Sequence, residues 1–157
     1  MRYFFLFLFL GFSLNSYAKN RFELEAIDST KLQEVSKLST IDSGCDWRKQ
    51  LPFGPSFAYA ASEDGEDPLW IKVYGKYLQL KFQVKSPKKD VAHAIGSTFN
   101  ITYQGSEIKA VAYFKIIRVC LPAEDQCETT DYESSIVLTD QSGQTFKLGP
   151  IKLSCGS

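Results

Sequence analysis

Leu69-Trp70-Ile71-Lys72-Val73-Tyr74-Gly75-Lys76-Tyr77-Leu78-Gln79-Leu80-Lys81-Phe82-Gln83-Val84 decides the fold class. Apolar and polar residues alternate on both sides of Gly75-Lys76, the period of half-buried strands and not of a helix. A two-residue turn with Gly75 first pairs Tyr74 with Tyr77. Val73 then faces Leu78, Ile71 faces Leu80 and Leu69 faces Phe82, so one side of the hairpin is wholly apolar. The other side holds Trp70 opposite Lys81 and Lys72 opposite Gln79. A slip of one position would mix the two sides, which makes the inward and outward sets well specified.

The same pattern continues downstream. A turn at Gln104-Gly105 sets Tyr103 against Ser106, Ile101 against Ile108 and Phe99 against Ala110. The second strand runs on through Ala112, Phe114 and Ile116 toward Cys120. Pairing the return strand directly from Cys120 and Cys127 would place Ile116 opposite Asp131. One extra residue between Cys127 and Tyr132 gives Ile116–Tyr132, Ala112–Ile136 and Ala110–Leu138 instead, so a β-bulge is expected there. Beyond a loop at 140–144, where Gly143 suits a positive φ, Leu138 meets Phe146 and Ile136 meets Leu148. Gly149-Pro150 interrupts the last strand before Ile151 and Leu153, as at an edge or a bend.

The result is a four-strand antiparallel meander with one apolar face, next to a hairpin with another. Two such sheets bury their faces by stacking, which predicts a mainly β fold, an antiparallel β-sandwich, with a small β-barrel as the alternative. Upstream, Leu32, Val35 and Leu38 recur at helical spacing, and Thr30 with Gln33 forms a capping box, giving one short N-terminal helix. Residues 22–27 alternate weakly as a short strand. Residues 41–62, with Gly44, Pro52, Gly54 and Pro55, read as an irregular connection pinned by Cys45.

The first residues, 1–18, read as a signal peptide: Arg2, an apolar run from Tyr3 to Leu14, and small Ser16 and Ala18 before a cut. That run is about twelve residues, whereas a membrane span needs roughly twenty. Residues 19–157 then form a single disulfide-stapled domain that is periplasmic or secreted. Losing Arg2 leaves 17 basic against 18 acidic residues, which argues against nucleic acid as a partner. In an oxidising compartment Cys45, Cys120, Cys127 and Cys155 are expected as two disulfides. Cys120–Cys127 staples a hairpin and leaves Cys45–Cys155 as the long-range bridge. Six residues separate Cys120 from Cys127, unlike a redox CxxC, and with His93 the sole histidine neither a zinc site nor another cofactor is expected.

No catalytic motif stands out. Glu63-Asp64-Gly65-Glu66-Asp67 lacks the EF-hand pattern and reads as an acidic turn near Lys85, Lys88 and Lys89. The lysines, including Lys76, read as solvated strand positions that discourage edge pairing. His93 has no GxSxG partner and reads as a loop residue. Asn100-Ile101-Thr102 matches a glycosylation sequon. The leading expectation is a non-enzymatic binding module contacting an unknown protein or glycan in the envelope or extracellular space. Its contact patch is the polar side of the first hairpin: Trp70, Lys72, Tyr74, Tyr77 and Lys81. The alternatives are an exported hydrolase or thiol-redox enzyme, and an assembly component, inhibitor or chaperone acting through a sheet edge.

Overall fold

A computed structural model describes residues 22, 24–37, 44–48, 54–60, 66–87, 94–120 and 129–156. Residues 1–18, Glu63-Asp64-Gly65, Lys88, Lys89, His93 and Cys127 lie outside the described residues. The elements are β1 (Leu24–Glu25), α1 (Ser29–Lys37), β2 (Cys45–Arg48), β3 (Ser56–Ala60), β4 (Leu69–Val73), β5 (Lys76–Ser86), β6 (Thr98–Gln104), β7 (Ile108–Arg118), β8 (Thr129–Asp140) and β9 (Thr145–Gly156).

The architecture is a barrel, not the expected sandwich. Strands β2 to β9 each pair antiparallel with the next in sequence, and β9 returns to β2, closing eight strands with β1 added outside. Two features convert the sheets into one. The first half of β5 pairs with β4 and its second half with β6, so hairpin and meander share a strand. The stretch 41–62, expected as irregular, contributes β2 and β3, and these bridge β9 to β4. Once the sheet curls shut its apolar side faces itself, and no second layer is needed.

Register breaks help the sheet curl. One extra residue stands at Phe57 in β3, Gln83 in β5, Ile117 in β7 and the Gly149-Pro150 step in β9. The β7–β8 register itself is the expected one, with Ile116 opposite Tyr132 and Ala110 opposite Leu138. The extra residue, however, is in the outgoing strand at Ile117 and not after Cys127. Arg118 pairs directly with Asp131, so the shift is absorbed before the hairpin. At Gly149 φ is 101°. A Cβ there would lie 2.6 Å from the Ser134 carbonyl oxygen, so the bulge requires glycine. The interruption lies inside β9, against Ser134 and Ser135 of β8, and bends the barrel wall there.

Both hairpin turns differ from expectation while the inward and outward sets hold. Tyr74 and Gly75 are the turn residues, at φ 53° and 72°. This is the two-residue turn with both centres left-handed, which matches strand twist. Val73 therefore pairs with Lys76, Ile71 with Leu78 and Leu69 with Leu80, and on the outer side Trp70 with Gln79 and Lys72 with Tyr77. Between β6 and β7 the loop is longer: Gln104 pairs with Lys109, and Gly105 N–H donates to the Ile108 carbonyl at 2.8 Å. Ile101 consequently meets Ala112, and Phe99 meets Phe114. Each displacement is an even number of positions, so no side chain changes face.

The lumen is packed. Leu69, Ile71, Leu80, Ile101, Tyr103, Ile116, Tyr132, Ile136, Leu138 and Leu153 are all within 1% of complete burial. Trp47, Phe99, Phe114 and Tyr132 form an aromatic cluster in which Phe99 stacks on Phe114 at 4.7 Å. Trp47 Nε1 donates to Ser134 Oγ at 2.9 Å, which satisfies the one polar atom this large ring buries. The bulge at Gln83 turns Lys85 inward, opposite Ile101, with its Nζ 4.7 Å from the Phe99 ring centre. Cys45 and Cys155 are directly opposed at the β2–β9 seam and joined by a disulfide, with Cα atoms 4.5 Å apart. The second expected bridge, Cys120–Cys127, ends on a residue outside the described set.

The helix is present, but Asp28 caps it in place of Thr30: its carboxylate accepts from Lys31 N–H at 2.9 Å. β1 takes over the margin of β4 at Lys72 and Val73 where β3 leaves it, and Ile27 bridges Ser56. Among the described residues no helix is long and apolar enough to cross a membrane.

Candidate functional site

The polar side of the β4–β5 hairpin does not present its five expected contact residues as one patch. Trp70 and Tyr77 are half-buried beneath α1, packed with Ile27, Leu32 and Tyr59. Lys31 Nζ lies 5.2 Å from the Trp70 ring and 5.8 Å from Tyr77, and Lys72 Nζ lies 5.4 Å from Tyr77. Tyr77 Oη hydrogen-bonds the Asp28 carboxylate, the same group that caps the helix. Lys72 also pairs with Glu25 at 3.9 Å. Trp70 and Tyr77 thus attach α1 to the barrel, and Lys72 attaches β1. Lys81 is exposed farther along β5, opposite Gln104. Tyr74 also stands clear, 47% exposed, but at the turn and apart from Lys81.

Tyr74 belongs to a different grouping. In a meander barrel alternate turns share one end, so the 74–75, 105–108 and 141–144 turns meet at a mouth. They enclose a cleft of about 360 Å³ lined by Val73, Tyr74, Lys76, Leu78, Glu107, Ile108 and Asp140 to Ser142. Its floor is apolar, from Val73, Leu78 and Ile108. Its rim carries Lys76, Glu107 and Asp140. The Ser142 hydroxyl donates to the Asp140 carboxylate at 2.8 Å, as does Gln144 N–H at 2.8 Å. The Ser142 hydroxyl foremost, with the turn's N–H groups, holds the Asp140 carboxyl below the usual carboxylate range. Asp140 therefore keeps its negative charge to a lower pH than an ordinary carboxylate does.

A left-handed tyrosine is unusual, because Gly, Asn or Asp suits that conformation better. Here Gly75 N–H donates to Glu25 Oε1 at 2.6 Å, and the buried Phe22 ring lies 6.1 Å from Tyr74. The N-terminal segment thus fixes the turn that displays Tyr74. Glu107 and Asp140, which lie outside the expected patch, share Tyr74's end of the barrel only once the strands close.

Other chemistry is sparse. Among the described residues no three His, Cys, Asp or Glu side chains gather to hold a metal ion. The Cys45–Cys155 sulfurs are fully buried, the position of a staple. Tyr103 Oη is buried without a hydrogen-bond partner among the described residues, and burial foremost, then Asp67 nearby, pushes its ionisation upward.

The fold and its mouth define a class, a side-chain-filled, up-and-down eight-stranded β-barrel sealed by a disulfide at its closing seam. Set against family models, curated proteins and solved structures, the chain matches none of them.

Proposed function

We propose that this protein is an exported, non-enzymatic binding module that contacts a protein or glycan of the envelope or extracellular space through its barrel mouth. The observation that carries this reading is Tyr74, a large aromatic kept 47% exposed in a backbone conformation that disfavours it. Strain retained at an exposed position points to use of the side chain. An apolar floor with a charged rim is the composition of a recognition site. The packed lumen supports recognition at the surface, since small eight-stranded barrels are filled by their own side chains. A buried disulfide and the leader-like residues 1–18 support an oxidising, exported setting. The sheet-edge reading draws less support, because closure removes most edges.

The test is capture from native envelope or culture medium with immobilised protein, comparing wild type with Tyr74→Asn. Asparagine accepts the left-handed conformation, so this variant keeps the turn and removes only the ring. A partner retained by wild type and lost by the variant supports the reading. Identical capture by both refutes the mouth as the contact surface.

A further inference from the structure

A second cleft lies on the flank of the barrel, away from the mouth. Successive strands place Ser86 opposite Asn100, Asn100 opposite Tyr113 and Tyr113 opposite Ser135, and Ser135 faces the Gly149-Pro150 bulge. These residues alternate with the buried Phe99, Phe114 and Ser134, so they point outward. The small side chains beside Tyr113 leave a cleft of about 420 Å³. Tyr113 stands in it 46% exposed. In the adjoining outward row Thr98 is opposite Lys115, and Lys115 is opposite Glu133, so the two charged residues that line the cleft are of opposite sign.

We propose that this cleft binds a neutral oligosaccharide, with a sugar ring laid on Tyr113 and its hydroxyls met by Asn100, Ser135 and Thr98. A tyrosine face suits the C–H side of a pyranose ring, and its hydroxyl remains wetted. Hydroxyl and amide side chains both donate and accept, as sugar hydroxyls do. Balanced charge gives no preference for an anion. An added peptide strand is disfavoured along β7, because Tyr113, Phe114 and Lys115 are paired on both sides and offer no free main-chain edge. The strand that carries Tyr113 is also held from within: Ser134 Oγ donates to the Tyr113 main-chain carbonyl at 2.7 Å and accepts from Trp47 Nε1 at 2.9 Å. A rigid aromatic loses little freedom on binding.

The experiment titrates the isotope-labelled full chain with maltotetraose, cellotetraose and triacetylchitotriose, followed by amide chemical shifts. One of the three is expected to give saturable shifts centred on Asn100, Tyr113 and Ser135, with Kd on the order of 1 mM. Tyr113→Ala should weaken that binding about tenfold, while Tyr113→Phe, which keeps the ring, should stay within about threefold of wild type. Tyr74→Asn should bind as wild type does, which separates this cleft from the mouth. Unchanged shifts elsewhere in the barrel report that each variant is folded. The proposal is overturned if none of the three sugars gives saturable shifts, if the shifts centre outside this row, or if Tyr113→Ala binds like wild type.

Discussion

Replacing both Cys45 and Cys155 with alanine tests whether the barrel depends on its covalent seam. The two strands that close the barrel share one registered pair, and that pair is the disulfide itself. The bridge spans 110 residues of sequence. In the chain-entropy model a cross-link over a loop of that length stabilises by about 5 kcal/mol. Domains of this size are stable by roughly 5–15 kcal/mol, so the loss is between a third and all of the total. With a urea slope near 2 kcal/mol/M, the midpoint should fall by about 2.5 M. The substitution is preferable to a reductant, which would also act on Cys120. Urea unfolding followed by circular dichroism supplies the midpoint, and native-state hydrogen exchange supplies the location. Amides of β2 and β9 should lose protection first, while those of β6 and β7, laddered along their length, retain it. A midpoint drop under about 0.5 M at unchanged slope would refute the reasoning, because the seam would then hold without its cross-link.

Three further outcomes follow from single positions. Tyr103→Phe removes a buried hydroxyl without a partner among the described residues, and should raise stability by up to about 1 kcal/mol in thermal melts; a loss of that size would show that the hydroxyl is satisfied. Gly149→Ala forces a Cβ to 2.6 Å from the Ser134 oxygen at φ 101°, and should lower stability by about 2 kcal/mol or more. Gly143→Ala, at φ 80° in open space, should lose only about 1 kcal/mol in the same assay. For Asp140 the folded carboxyl is depressed, so its stabilisation is present above the unfolded pKa of about 3.9 and lost as pH falls through the folded value. Melting wild type beside Asp140→Asn should therefore show a gap at neutral pH that narrows on acidification below about pH 4; a gap independent of pH would contradict this.

Most of the lumen was legible in the chain because a strand's inward set depends only on alternation. Phe99, Ile101, Ala110, Ala112, Phe114 and Ile116 point inward whichever residues form the turns. The exact partners were less legible, since turn choice moves them: Tyr74 occupies a left-handed position usually left to Gly or Asn, and the β6–β7 loop is longer than its Gln104-Gly105 signal suggests. β2 and β3 were missed because Pro52, Gly54 and Pro55 resemble a loop, yet Cys45, Trp47, Ala58 and Ala60 alternate inward around them. Closure itself is a property of shared strands, and periodicity in any one segment does not record it.

The two clefts differ in how they were hidden. Tyr113 was readable from alternation, since Ala112 and Phe114 face inward and the residue between them must face out. Its neighbours were not, because Asn100 and Ser135 join it through registers set by two turns and a bulge. The mouth needed more still: Tyr74, Glu107 and Asp140 are far apart in sequence and meet only because alternate turns of a closed meander fall at one end. Trp70 and Tyr77 show the opposite case. Aromatics among lysines on an outward strand face resemble a contact surface, but here they seat a helix whose cap, Asp28, bonds one of them. What separates Tyr74 and Tyr113 from that pair is exposure: one ring is displayed by a disfavoured backbone, and the other stands on an outward strand position whose carbonyl accepts from the buried Ser134 hydroxyl.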